Sequence, residues 1–128
     1  MRPVNLFLTE DGVLKLGYYG LTTQAECYSI KRKECDGVRS FAPEVFRGEY
    51  EMKSDVWSFG TALLELMGIT PYVESENGCL PTNDDVLIHS VNVEGIQSAQ
   101  LAHFLKECFR RVYKRWSVKQ LMTVRVMR

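Results

Sequence analysis

The chain has 128 residues, of which 45% are hydrophobic and 25% charged, enough for one domain with a core of its own. Its 16 basic and 16 acidic residues cancel, so no global field draws it to nucleic acid or to an acidic membrane surface. No apolar run approaches the ~18 residues of a membrane-spanning helix, and no repeat or low-complexity tract divides the chain.

Leu6-Phe7-Leu8 and Val13-Leu14-Lys15-Leu16 flank Glu10-Asp11-Gly12, which predicts a β-hairpin closed by an Asp-Gly turn. From Gly17 to Phe41 neither periodicity holds, and so long a stretch inside a compact domain is expected to be functional or mobile. Ser54 is placed as the cap of a helix running to about Met67, stopped by Gly68 with Pro71 beyond. That helix is apolar nearly all round, the pattern of an element buried on every side. A short helix is expected at about 83–90. Ser98 should cap another, with Leu101, Leu105, Cys108 and Val112 in one stripe and Phe104 and Phe109 beside it. The last helix spans Trp116 to about Val124, with Ser117 near its start. The sum is an α+β fold, mostly α, with a hairpin and four or five helices around one central helix and no internal linker.

Charge is uneven along the chain. Residues 74–94 lean acidic, whereas Lys106, Arg110, Arg111, Lys114, Arg115, Lys119, Arg125 and Arg128 face only Glu107 in the last 23 positions. Solvated helix faces and a basic docking surface are both consistent with this. Cysteines 27, 35, 79 and 108 show neither Cys-x-x-Cys spacing nor paired histidines, which argues against zinc and for free thiols in a cytoplasmic protein. Lys31-Arg32-Lys33 is too short for a nuclear signal, and His89 and His103, without acid–base partners in the sequence, read as structural.

Several motifs stand in a telling order. Arg2-Pro3-Val4-Asn5 resembles the end of a protein kinase catalytic loop, where that family has Asp-x-Lys-Pro-x-Asn. Tyr18-Tyr19-Gly20 sits after a strand, where the family has Asp-Phe-Gly. Ala42-Pro43-Glu44 resembles the close of the activation segment, and Lys53-Ser54-Asp55-Val56-Trp57-Ser58-Phe59-Gly60 the start of the central helix. Cys108-Phe109-Arg110-Arg111 through Arg115-Trp116-Ser117 is similar to the segment between the last two large helices. The chain thus resembles the C-lobe of a eukaryotic Ser/Thr protein kinase over residues 1–128. Gly37-Val38-Arg39-Ser40-Phe41-Ala42-Pro43-Glu44 looks most like the MAP kinase kinases and their relatives.

The resemblance implies a hairpin, a long activation segment, a central buried helix and three or four further helices. It implies that Asn5 coordinates a metal ion, that Glu44 and Arg115 form a buried ion pair, and that Asp55 holds the catalytic-loop backbone. Arg2 stands at the catalytic-loop lysine, and Thr22, Thr23, Tyr28 and Ser29 lie where activation-loop phosphorylation occurs, although a plain polar loop accounts for them better. The family's cofactor is Mg-ATP. Tyr18 stands where the family places its metal-binding aspartate, and a phenol with a pKa of about 10 is neutral at pH 7 and a poor hard-ion ligand. The catalytic aspartate would fall before Met1, and the Gly-rich loop, strand lysine and helical glutamate belong to an N-lobe with no counterpart in this sequence. Three readings fit: a pseudokinase-like module without a cofactor that binds a kinase or scaffold, part of an active kinase of a MAP kinase cascade, or a decayed copy. Self-association through an exposed apolar face of the central helix is expected as well.

Overall fold

A computed structural model describes residues 2–17, 39–72, 80–81 and 83–124. A single 3-10 turn, Pro3–Asn5, leads directly into β1 (Leu6–Leu8), which pairs antiparallel with β2 (Leu14–Leu16) in the register Leu6↔Leu16 and Leu8↔Leu14. Gly12 takes the left-handed conformation (φ 77°) that the turn needs, and Thr9 ties the neck twice. Its amide donates to the Val13 carbonyl at 2.9 Å, and its Oγ1 accepts from the Val13 amide at 3.0 Å.

A second 3-10 turn, Pro43–Arg47, opens on proline, whose missing N–H costs nothing at that position, and closes at Gly48. Then follows α1 (Ser54–Leu66), the centre of the core: Val56, Trp57, Gly60, Thr61, Ala62 and Leu64 are all buried. A Schellman motif ends it. The Gly68 amide reaches the Glu65 carbonyl at 2.9 Å, and the Ile69 amide reaches the Leu64 carbonyl at 3.0 Å. Two sequence expectations need correction here. Ser54 is the first helical residue rather than the cap, and its hydroxyl is spent on Glu44 and on the Glu51 amide. Nor is α1 enclosed on every side: Asp55, Glu65 and Leu66 face solvent, so one face of the helix is open at each end.

Three shorter helices surround α1: α2 (Asp84–His89), α3 (Ala99–Cys108) and α4 (Val118–Met122). Each is capped by its sequence. Asn83 accepts from the Asp85 and Val86 amides, Ser98 accepts from the Leu101 amide, and Ser117 forms a capping box with Gln120. The last helix is shorter than its apolar pattern, because Trp116 and Ser117 are extended residues before it. Helix α3 packs against α1 through Leu105, Cys108 and Phe109, whose ring meets Trp57 edge-on at 5.1 Å. Val112 lies beyond the end of α3, and so leaves the expected stripe. The Tyr72↔Val91 bridge and the Asn92 amide on the Pro71 carbonyl fasten the segment around α2 to the end of α1. The result is a mixed fold of one small sheet and helices. Among the described residues, no helix is long and apolar enough to cross a membrane.

Candidate functional site

The tightest polar constellation centres on Arg115 and Glu44, 71 positions apart in sequence. Arg115 Nη1 donates to Glu44 Oε1 at 2.6 Å and Nη2 to Oε2 at 3.0 Å, a bidentate fork with both side chains out of solvent. Two further donors of the guanidinium bond main-chain carbonyls. Nη1 donates to the Lys53 carbonyl at 2.8 Å, Nε to the Arg110 carbonyl at 3.0 Å, and the indole of Trp57 lies 5.2 Å from Cζ. Ser54 Oγ adds a 2.8 Å bond to Glu44 Oε1. One side chain thereby joins the Pro43–Arg47 turn, the entry to α1 and the loop after α3. Burial alone would push the Glu44 carboxyl up; the hydrogen bonds and charge of Arg115 overcome it and hold the group below its ordinary 4.5. Cys108, a buried free thiol close by, is pushed up to about 12 by desolvation and is therefore inert as a nucleophile.

Ala42 and Pro43 are buried beside Glu44. Ser58, one turn into α1, donates to the Ser40 carbonyl at 2.7 Å and so fixes the segment entering this turn. Asp55 sits in the first turn of α1, where the helix dipole favours a carboxylate. It is exposed, and among the described residues no hydrogen bond joins it to the Pro3–Asn5 turn.

At the other end, Arg2 precedes the Pro3–Asn5 turn, which packs against α1. The Asn5 amide donates to the Arg2 carbonyl at 3.0 Å, and the Asn5 carbonyl accepts from Gly17 at 2.8 Å. Asn5 is therefore locked between the turn and the residue preceding position 18. Tyr18, Thr22, Thr23, Tyr28 and Ser29 lie outside the described residues. His89 Nδ1 meets the Asp85 carbonyl at 2.6 Å and His103 packs edge-on to Trp116, so both are engaged in structure.

Sequence reasoning missed a second electrostatic junction. Asp84 pairs with Arg47, and Asp85 engages Arg111 through both Nε and Nη2. Glu107, buried, pairs with Arg110 at 2.7 Å. The signal was present: the acidic stretch before α3 and the basic stretch after it complement each other, and here they meet.

The protein kinase domain family matches residues 1–127, and the chain belongs to that family. It is 34% identical over 79 residues to the serine/threonine-protein kinase Nek9 of Xenopus laevis, covering 60% of this chain and 8% of that protein. It is 33% identical over 82 residues to mitogen-activated protein kinase kinase kinase 12 of Rattus norvegicus, covering 62% and 9%. A fibroblast growth factor receptor of Strongylocentrotus purpuratus is 35% identical over 116 residues, covering 83% and 11%. The chain thus spans about a tenth of the length of these relatives.

Proposed function

We propose that this chain builds the helical C-lobe of a Ser/Thr protein kinase-like domain and acts by binding another protein, a kinase or a scaffold, rather than by transferring phosphate. The observation that carries this reading is Tyr18, a neutral phenol at the position aligned with the family's metal-binding aspartate. Phosphoryl transfer depends on metal ions that bridge the phosphates and on an aspartate that receives the hydroxyl proton. The two side chains at the family's metal-binding positions suit Mg-ATP poorly: Asn5 offers a neutral amide and Tyr18 a neutral phenol, where a hard cation favours an anionic oxygen. No phosphotransfer step runs through these residues. The scaffold, by contrast, is kept, because the Glu44–Arg115 fork needs both partners placed to within a few tenths of an ångström.

An intact fork also favours a second reading, part of an active kinase of a MAP kinase cascade. Incubation with Mg-ATP and myelin basic protein separates the two. The binding reading expects no label above a boiled control, and partner co-elution that is unchanged when Mg-ATP is withheld. Turnover that purifies with the chain and disappears in Tyr18→Ala would overturn it.

A further inference from the structure

Three of the six tyrosines lie among the described residues, and their surroundings set them apart. Tyr72 is buried and accepts a 3.1 Å hydrogen bond from the Trp57 indole. Tyr50 is half exposed but stands between Glu49 and Glu51. Tyr113 is 67% exposed, on a turn after α3 where the Lys114 and Arg115 amides both donate to the Arg111 carbonyl, at 2.9 and 2.8 Å. Its charged neighbours are cations. Lys114 Nζ lies 5.9 Å from the centre of its ring, and Arg111 shares with it the wall of a cleft of about 200 Å³ between the Pro43–Arg47 turn, α2 and this loop. The Arg111 guanidinium is held above its ordinary value first by Asp85 and in smaller part by the Tyr113 oxygen, so the phenol is within electrostatic reach of it. The acids of the cleft are already engaged, Glu44 with Arg115, and Glu49 and Asp84 with Arg47.

A phosphate ester on each tyrosine would meet a different field. It brings a charge of about −1.5 to −2 at pH 7 and three strong acceptor oxygens. On Tyr72 it would have to enter the core, and on Tyr50 it would be placed between two carboxylates and repelled. On Tyr113 it meets the Lys114 ammonium and the Arg111 fork, whose planar donors match phosphate in bidentate fashion. Arg111 matters most, because it is one of the two arginines that hold the first turn of α2. Its Nε donates to Asp85 Oδ1 at 2.8 Å and its Nη2 to Oδ2. Both side chains of that pair are about half exposed, so the pair is weak. A phosphate two positions along the chain competes for the same guanidinium with the larger charge.

We infer that Tyr113 is a phosphorylation site, and that phosphate on it draws Arg111 away from Asp85 and loosens α2. In the reaction the Tyr113 phenolic oxygen bonds to the γ-phosphorus of ATP held by a separate tyrosine kinase. The bond from that phosphorus to the β,γ-bridging oxygen breaks, ADP leaves, and the phenolic proton passes to that kinase's base. The site stands whether or not this chain itself transfers phosphate.

The test treats the chain with a recombinant tyrosine kinase catalytic domain and Mg-ATP, maps the label by peptide mass spectrometry, and follows amide exchange over 84–90. Tyr113 should take the label ahead of Tyr50 and Tyr72, and Tyr113→Phe should lose it. Exchange over 84–90 in the phosphorylated protein should run about twofold to fivefold faster at low salt. In Asp85→Asn the same phosphate should add nothing, because Arg111 has no carboxylate there to leave, whereas a general loosening of the fold would add in both backgrounds. Label confined to other tyrosines, Tyr50 among them, would overturn the site. Label on Tyr113 with exchange over 84–90 unchanged, or quickened equally in Asp85→Asn, would overturn the switch.

Discussion

At the scale of single residues, the Glu44–Arg115 fork should dominate stability. Removing one member leaves the other charge buried and unpaired, so Glu44→Ala is expected to cost about 3–5 kcal/mol in urea unfolding. That is a large share of the roughly 5–15 kcal/mol available to a small domain. Arg115→Lys keeps the charge but loses the second bond to Glu44 and a main-chain carbonyl contact, at about 1–3 kcal/mol. Because the Glu44 carboxyl titrates below its unfolded value of 4.5, its stabilisation is present above that pH and is lost as pH falls through the folded value. Urea midpoints measured from pH 6 downward should therefore fall less steeply in Glu44→Gln than in the wild type. Equal slopes would mean that another carboxylate governs acid unfolding. Gly60 is the other sensitive position: a Cβ there would stand 2.7 Å from Phe109 Cζ and 3.0 Å from Cys108 Cβ. Glycine is what lets α3 approach α1, and Gly60→Ala should destabilise by about 1–3 kcal/mol despite the better helix propensity of alanine. A gain in melting temperature would show that the Phe109 ring can move aside.

At the scale of elements, α2 is held in part by charge. It has six residues, with Leu87 buried and Ile88 partly so, and its acidic first turn is held by Arg47 and Arg111. Exposed ion pairs are weak and screened by salt, so α2 should open locally more readily than α1 and α3. Amide exchange over 84–90 should quicken in Asp85→Asn at low salt, and the difference from wild type should vanish at high salt. Exchange that is identical at both would assign α2's attachment to Leu87 and the Tyr72↔Val91 bridge alone. These elements also show what the sequence could and could not disclose. The hairpin, the Gly68 stop and the Ser98 cap were legible because each rests on neighbours within four positions. The role of Ser54 was not, since its hydroxyl answers to Glu44, ten positions upstream, rather than to its own helix. The pairing of Glu44 with Arg115 has no local signature at all, and family resemblance alone suggested it. The α2 ion pairs fall between: charge asymmetry hinted at them, while the choice of partners is set by tertiary packing.

At the scale of the whole molecule, the uneven charge of the sequence closes on itself, as α2's acids meet Arg47 and Arg111 and leave little net field. What is left unsatisfied is apolar. It lies less on α1, where sequence reading expected it, than on the hairpin, because α3 and the Pro3–Asn5 turn pack against α1. The register Leu6↔Leu16 and Leu8↔Leu14 puts four leucines on one face of a sheet with strands of three residues each. Leu8 remains 71% and Leu14 63% exposed, with Val4, Phe7 and Val13 also open. A two-stranded hairpin is marginal alone, and an exposed contiguous leucine face is the kind of surface that promotes association. The chain should therefore self-associate through the hairpin. Light scattering after size exclusion is expected to give a mass above 14.7 kDa that rises with concentration. Leu8→Lys with Leu14→Glu replaces a cross-strand apolar pair by an opposite-charge pair, which keeps the hairpin register while abolishing the greasy face. That variant should stay monomeric at every concentration. A wild type that is monomeric throughout would show that four leucines on so short a sheet are too few to hold two copies together.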